Sequence, residues 1–251
     1  MYHLQLSDGS AIRWTELPGA GPALVVVHGL GASAVGHFLH VVTHRALLGR
    51  RVLFVDLLGF GLSDRPQDFD YSVESHARAV SSVLDDLGLG SVDVVGHSLG
   101  GAIGIHLVHL RPDLVGRLVA IEPNLDAWDG TSSVQIARQS EAEFVERGFA
   151  TLLRAADPAW RASLRLADPV ALHRTSVGLC TGPTPGMRQT LLEALLPRVL
   201  VWGNRSTPPR HLEQLRSAGV GYLEIPDAGH VPMEDNPTAL ARVLAAALPL
   251  H

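Results

Sequence analysis

A chain of 251 residues with 46% hydrophobic and 18% charged positions has enough apolar material for one sizeable α/β domain and too much for a disordered chain. Its net charge of −5, with the 20 Lys and Arg scattered rather than gathered in a stripe, argues against a nucleic-acid partner. The single cysteine, Cys180, excludes an intrachain disulfide, fits a reducing compartment and reads as a small buried apolar residue.

Met1–Ser10 lacks the basic and apolar regions of a leader, and no apolar run is long enough to span a bilayer. A cytoplasmic protein without membrane contact is therefore expected. Two alternating segments, Tyr2–Leu6 and Ala11–Thr15, flank the turn signal Asp8-Gly9. Ala23–His28, Arg51–Asp56, Val92–Gly96 and Leu118–Glu122 are short β-branched runs of the kind buried on both faces of a sheet. Helical patterns separate them at Ala34–Leu48, Val73–Leu87 and Ser98–Leu110. Such alternation predicts an α/β fold with a mostly parallel central sheet and flanking helices.

After Glu122 the rhythm changes. Residues 123–197 show helical patterns at Ser132–Arg147, Pro158–Leu166, Pro169–Leu179 and Met187–Leu196, with no good strand. Asp157-Pro158 and Asp168-Pro169 read as N-cap Asp followed by Pro at the first helical position. Alternation then resumes with strand Val199–Trp202, helix Pro209–Ala218, strand Gly221–Ile225 and helix Thr238–Ala247. The expected organisation is a core of residues 1–122 and 198–251 with a helical cap, residues 123–197, inserted between its halves. An insertion that long points to function.

The chemistry centres on Gly96-His97-Ser98-Leu99-Gly100, a G-x-S-x-G motif between a strand and a helix. A strand that turns into a helix within one residue forces a positive φ on the nucleophile and leaves no room for a Cβ two residues either side. Ser98 is then held at the positive N-terminus of a helix, where an oxyanion is favoured. An incidental serine in a glycine-rich turn is the bland alternative, and the flanking strand and helix weigh against it. His28-Gly29-Leu30-Gly31 ends the first buried strand; the Leu30 and Leu99 amides are the candidate oxyanion donors. The turn Asp56–Asp64 reads as structural. Of the 13 histidines, His230 is the candidate general base, because it follows the last strand and fits the chain order Ser, acid, His. His28 is expected to orient backbone, and His97 to pack beside the nucleophile.

Together HGLG, DLLGFGLSD, GHSLGG and DAGHVPMEDNP resemble the α/β-hydrolase superfamily in order and spacing across nearly the whole chain. One position departs. Many relatives carry the triad Asp in a G-x-x-D turn after the strand equivalent to Val199–Trp202; here the turn is Gly203-Asn204-Arg205-Ser206. Serine cannot carry the charge that stabilises an imidazolium. The resemblance offers a replacement, since some members, certain haloalkane dehalogenases among them, place a glutamate where Glu122 stands. Asp126 and Asp129 are weaker candidates.

A two-step acyl transfer follows from Ser98, His230 and Glu122, with a small, largely apolar ester or lactone as substrate. Neither a metal nor a cofactor is expected, for there is no Cys/His cluster with ligand spacing. Gly29, His97, Trp128 and Trp160 are candidate pocket residues, and Phe144, Phe149 and Met187 could add apolar lining. Two alternatives stand: carbon–carbon bond hydrolysis of a diketone-like substrate, or a hydrolase-like binding protein without turnover.

Overall fold

The computed structural model describes residues 1–249. Eight strands form one sheet: β1 Tyr2–Gln5, β2 Ala11–Leu17, β3 Ala20–Val27, β4 Arg50–Asp56, β5 Val92–His97, β6 Val115–Ile121, β7 Arg198–Gly203 and β8 Gly221–Ile225. Their order is β1-β2-β4-β3-β5-β6-β7-β8; β1 and β2 pair antiparallel, and β3 to β8 run parallel. Burial on both faces explains the continuous apolar runs. Leu24 and Val26 of β3 point into one core with Val52, Phe54, Val95 and Val119, while Val25 and Val27 point into the other with Leu53, Val55 and Val94.

Helices α1 (Ala34–Val42) and α12 (Pro237–Ala247) cover the first of these faces; α2 (Val73–Asp86) and α3 (Leu99–Leu110) cover the second. Helix α3 is buried from Leu99 to Val108, so it lies sandwiched rather than on the surface. Helix α1 ends at Val42 and not at Leu48, and Thr43 closes it by donating from Oγ1 to Leu39 O at 2.7 Å.

Between β6 and β7 the described residues form helices and no strand. These are α4 Thr131–Ala137, α5 Glu141–Glu143, a π-helical turn Phe144–Gly148, α6 Phe149–Ala155, α7 Pro158–Leu164, α8 Pro169–Thr181 and α9 Met187–Glu193. Asp157 and Asp168 cap α7 and α8, accepting from Trp160 N at 2.9 Å and Ala171 N at 2.8 Å. The expected helix Ser132–Arg147 is two, because Ser140 accepts from Glu143 N and starts a new one. The buried side chains of this segment, Ile136, Phe144, Leu172 and Leu191 among them, join the same apolar cluster as α2 and α3. The insertion therefore builds no core of its own. The two remaining helices are α10 Leu212–Ser217 and α11 Pro232–Asp235. No helix of the described residues is long and apolar enough to cross a membrane.

Candidate active site

Ser98 stands where β5 becomes α3, at φ 51° and ψ −114°. A non-glycine residue held there costs about 1–3 kcal/mol, which the surroundings must supply. Ser98 N–H donates to Ile121 O at 2.8 Å, and its carbonyl accepts from Ala102 N at 3.0 Å, so both the neighbouring strand and the helix hold the bend. The flanking glycines are dictated by backbone. A Cβ on Gly96 would lie 2.1 Å from Gly100 O, and one on Gly100 would lie 2.2 Å from Val27 O.

Glu122 is the residue after β6. Its amide extends the ladder to Val201 O at 2.9 Å, and then φ turns to 46° and the strand ends. The side chain is buried beside β7: Oε1 accepts from Gly203 N at 2.8 Å, and Oε2 lies 3.4 Å from His230 Nδ1. Because a carboxylate only accepts, the neutral imidazole carries its proton on Nδ1 and leaves the Nε2 lone pair free. Asp126 is paired instead with Arg188, and Asp129 makes no bond to His230. Among the three acids weighed from sequence, Glu122 alone reaches the histidine. Ser206 sits in the turn that closes on Gly203 O, at 3.0 Å from its own amide.

His230 lies on the exposed loop between β8 and α11. Two bonds hold that loop: Gly229 N donates to Asp235 Oδ2 at 2.7 Å, and His97 Nε2 donates to His230 O at 2.7 Å. Ser98 and His230 both line one cavity of about 1220 Å³. Among the described residues the Ser98 hydroxyl makes no hydrogen bond, a common state of an unliganded site.

Leu30 lines the same cavity, and Leu99 directly follows Ser98. Among the described residues neither Leu30 N nor Leu99 N is spent on a hydrogen bond within the fold, and Leu99 opens the buried helix α3. The Leu30 loop is held from two sides. Its carbonyl accepts from Trp160 Nε1 at 3.0 Å, and His28 ties the loop to β4 by accepting from Leu57 N at 3.0 Å. Burial pushes the His28 imidazole below its usual range, although the nearby Asp56 carboxylate pulls the other way. The Asp56–Asp64 turn is spent on structure: Asp56 accepts from Ala34 N and Leu62 N, and Asp64 from Ala11 N.

Gly29 and Trp160 line the cavity, as expected. His97 borders it too, but its ring is 3% exposed and both nitrogens are taken by protein groups, so it offers substrate little. Trp128 needs correction. It is 54% exposed and does not line the cavity; φ of 61° and a bond from its amide to Cys180 O turn it outward. Phe144 and Met187 are likewise core rather than lining, and Phe149 packs against the same core. Sequence reasoning passed over His37 and His40, which belong to α1 and reach the cavity wall. Their helical setting offered no signal, because what matters is which side of α1 meets the cavity.

The profile of the alpha/beta hydrolase family matches residues 24–243. The chain belongs to that family. This hydrolase is 33% identical over 175 residues to esterase Rv0045c of Mycobacterium tuberculosis, covering 69% of this chain and 54% of the esterase. It is 36% identical over 120 residues to 2-hydroxy-6-oxo-2,4-heptadienoate hydrolase of Pseudomonas putida, covering 46% of this chain and 44% of that enzyme. Among solved structures, the hydrolase superposes with a TM-score of 0.77 and 25% identity on an N-acyl homoserine lactonase, the AidH E219G mutant complexed with N-hexanoyl homoserine, over 100% of this chain and 98% of the other.

Proposed function

We propose that this hydrolase cleaves an uncharged carboxylic ester or lactone through an acyl-enzyme on Ser98. The observation that carries the reading is the Glu122–His230 pair at 3.4 Å in the same cavity as a serine held at positive φ. His230 Nε2 takes the proton from Ser98 Oγ as Oγ attacks the acyl carbon. The Leu30 and Leu99 amides donate to the oxyanion, and Glu122 supports the imidazolium through Nδ1. His230 then protonates the leaving oxygen and activates the water that releases the acid. No metal or cofactor enters the scheme.

Cavity charge favours a neutral substrate over the carboxylate carried by a dienoate such as the Pseudomonas relative's. Glu122, Asp129, Asp157 and Glu234 line the cavity against one guanidinium, that of Arg210. Burial raises the carboxyl pKa of both Asp129 and Glu234, and neighbouring acids add to it, so a further anion meets carboxylates already short of compensation. The apolar wall from Trp160, Ala162, Leu166 and Leu179 suits an acyl chain. We also place the protein in the cytoplasm, on the strength of its lone buried cysteine.

Steady-state hydrolysis of p-nitrophenyl butyrate against mono-p-nitrophenyl succinate tests this, with a fluorophosphonate probe to label the nucleophile. Repeated turnover of the neutral ester, weaker turnover of the anionic one, and loss of both turnover and label in Ser98→Ala are expected. A protein that neither turns over nor takes the label is a binding protein, and preference for a dienoate returns the carbon–carbon reading.

A further inference from the structure

Two histidines outside the proposed triad form a chain that ends on its base. His37 of α1 and His97 of β5 are separated by 60 positions, yet His37 Nε2 and His97 Nδ1 lie 2.9 Å apart, and His97 Nε2 lies 2.7 Å from the carbonyl oxygen of His230. The His37 and His97 rings lie 29° from parallel with centroids 4.8 Å apart, and the His230 ring is tilted by 51° to His97 with centroids 4.9 Å apart. Gly29 makes room for this, because a Cβ there would lie 2.7 Å from His97 Nδ1.

The donors can be assigned from the acceptors. A carbonyl oxygen only accepts, so His97 carries a proton on Nε2. In a neutral ring that leaves a lone pair on Nδ1, which needs a donor, and His37 must therefore carry its own proton on Nε2. Both rings are held neutral: burial pushes His37 down to about 3 and His97 well below its ordinary value, and each ring's neighbouring imidazoles push the same way. If His97 took the other tautomer, an Nε2 lone pair would face the His230 oxygen, two acceptors at 2.7 Å.

We propose that His37 and His97 are positioning residues which fix the general base through its main chain, His37 setting the tautomer of His97 and His97 anchoring the His230 carbonyl. The inference rests on the acyl-enzyme reading given above. Its logic repeats that of Glu122 one step removed. The carboxylate sets which ring nitrogen of His230 is protonated, and the imidazole pair sets where the ring sits. His230 lies on an exposed loop, tied on one side by Asp235 to Gly229 N, so the carbonyl anchor removes the swing that would carry Nε2 away from Ser98 Oγ. A misplacement of about 1 Å at a reacting group can cost about 100-fold in rate.

The test compares His37→Phe, which keeps a ring and loses the donor, with His37→Gln, which restores an N–H towards His97 Nδ1. His97→Gln, which restores an N–H towards the His230 carbonyl, is compared with His97→Leu. His37→Phe and His97→Leu should lower kcat by about 10- to 100-fold with KM unchanged within about 2-fold, and both Gln variants should recover most of the loss. Equal kcat in His37→Phe and wild type, or equal loss in the Phe and Gln variants, would overturn the proposal. A folding defect is set aside by a readout on the unmutated protein: long-range ¹H–¹⁵N spectra should show His97 as the Nε2–H tautomer at neutral pH, and an Nδ1–H signal overturns the assignment. Activity in wild type that vanishes in Ser98→Ala, alongside undiminished kcat in His37→Phe, would sink the clamp and leave the acyl-enzyme standing. Absence of wild-type turnover would sink the acyl-enzyme reading and the clamp with it, whatever the tautomer of His97.

Discussion

The sheet buries Asp93 near the start of its strands and Glu122 near their ends, and the two carboxylates are treated differently. Near the start of the strands, Asp93 is 2% exposed and bonded to Arg50, itself 3% exposed, with Arg117 Nη1 at 3.7 Å. At the other end Glu122 is 5% exposed and, among the described residues, meets one backbone amide and an imidazole and no guanidinium. A fixed cation neutralises the first carboxylate permanently. On the proposed mechanism the second is matched when His230 takes the proton from Ser98, so its charge serves a partner that ionises during the reaction. Burying a charge costs several kcal/mol wherever it happens; one end of the sheet spends that on rigidity, the other on a responsive pair.

The contrast breaks most visibly at Glu122. Glu122→Gln should place an amide N–H against His230 Nδ1 and hold the wrong tautomer, lowering kcat by about 10⁴-fold, or about 5.5 kcal/mol on the barrier, while the melting temperature changes little. Adding Ser206→Asp to that variant should recover part of the loss, since residue 206 lines the same cavity; no recovery would mean that the turn after β7 cannot reach His230. Asp93→Asn should behave in the opposite way. It strands Arg50 in the interior and should cost about 3–5 kcal/mol in urea unfolding, with kcat and KM unchanged wherever the protein remains folded.

Smaller effects sharpen the picture. His76 of α2 is packed among Phe60, Phe69 and Tyr71, and burial pushes its imidazole down to about 3. The unfolded chain, with an imidazole pKa near 6.5, binds more protons across that window. Stability is therefore full above pH ~6.5 and is lost as pH falls towards 3. Urea midpoints at pH 7 and 4.5 should differ in that direction, and His76→Phe should reduce the difference while leaving the share of His28, His37 and His97. The mildest change is Trp160→Phe, which removes the indole donor from Leu30 O. It should cost several-fold in kcat/KM, about 1 kcal/mol, with the mass added by the fluorophosphonate unaltered.

What the sequence revealed follows from the range of each signal. β-branched runs report burial on two faces, so β3 to β7 were legible as strands, and G-x-S-x-G reports a backbone bend fixed within five residues. The absence of a carboxylate at Ser206 was likewise visible, and so was the glutamate whose carboxylate lies against His230. Trp128 was misread because composition cannot tell an inward from an outward aromatic on an irregular segment, where one positive φ decides. The break at Ser140 was written in Ser140-x-x-Glu143 and overlooked beneath a longer apolar period. The His37–His97–His230 chain had no local signature at all, because it depends on how α1 meets the ends of β5 and β8.

The proposed placing of the acid after β6 has a consequence for the segment that follows β7. Ser206, Thr207, Pro208, Pro209 and Arg210 all contribute to the cavity wall. On the assignment made here, that stretch is released from holding a charge in register with an imidazole and keeps only the task of shaping what enters. Libraries randomised over residues 207–210 should therefore retrain selectivity without touching the proton relay, a freedom withheld from relatives whose carboxylate is anchored in the same turn.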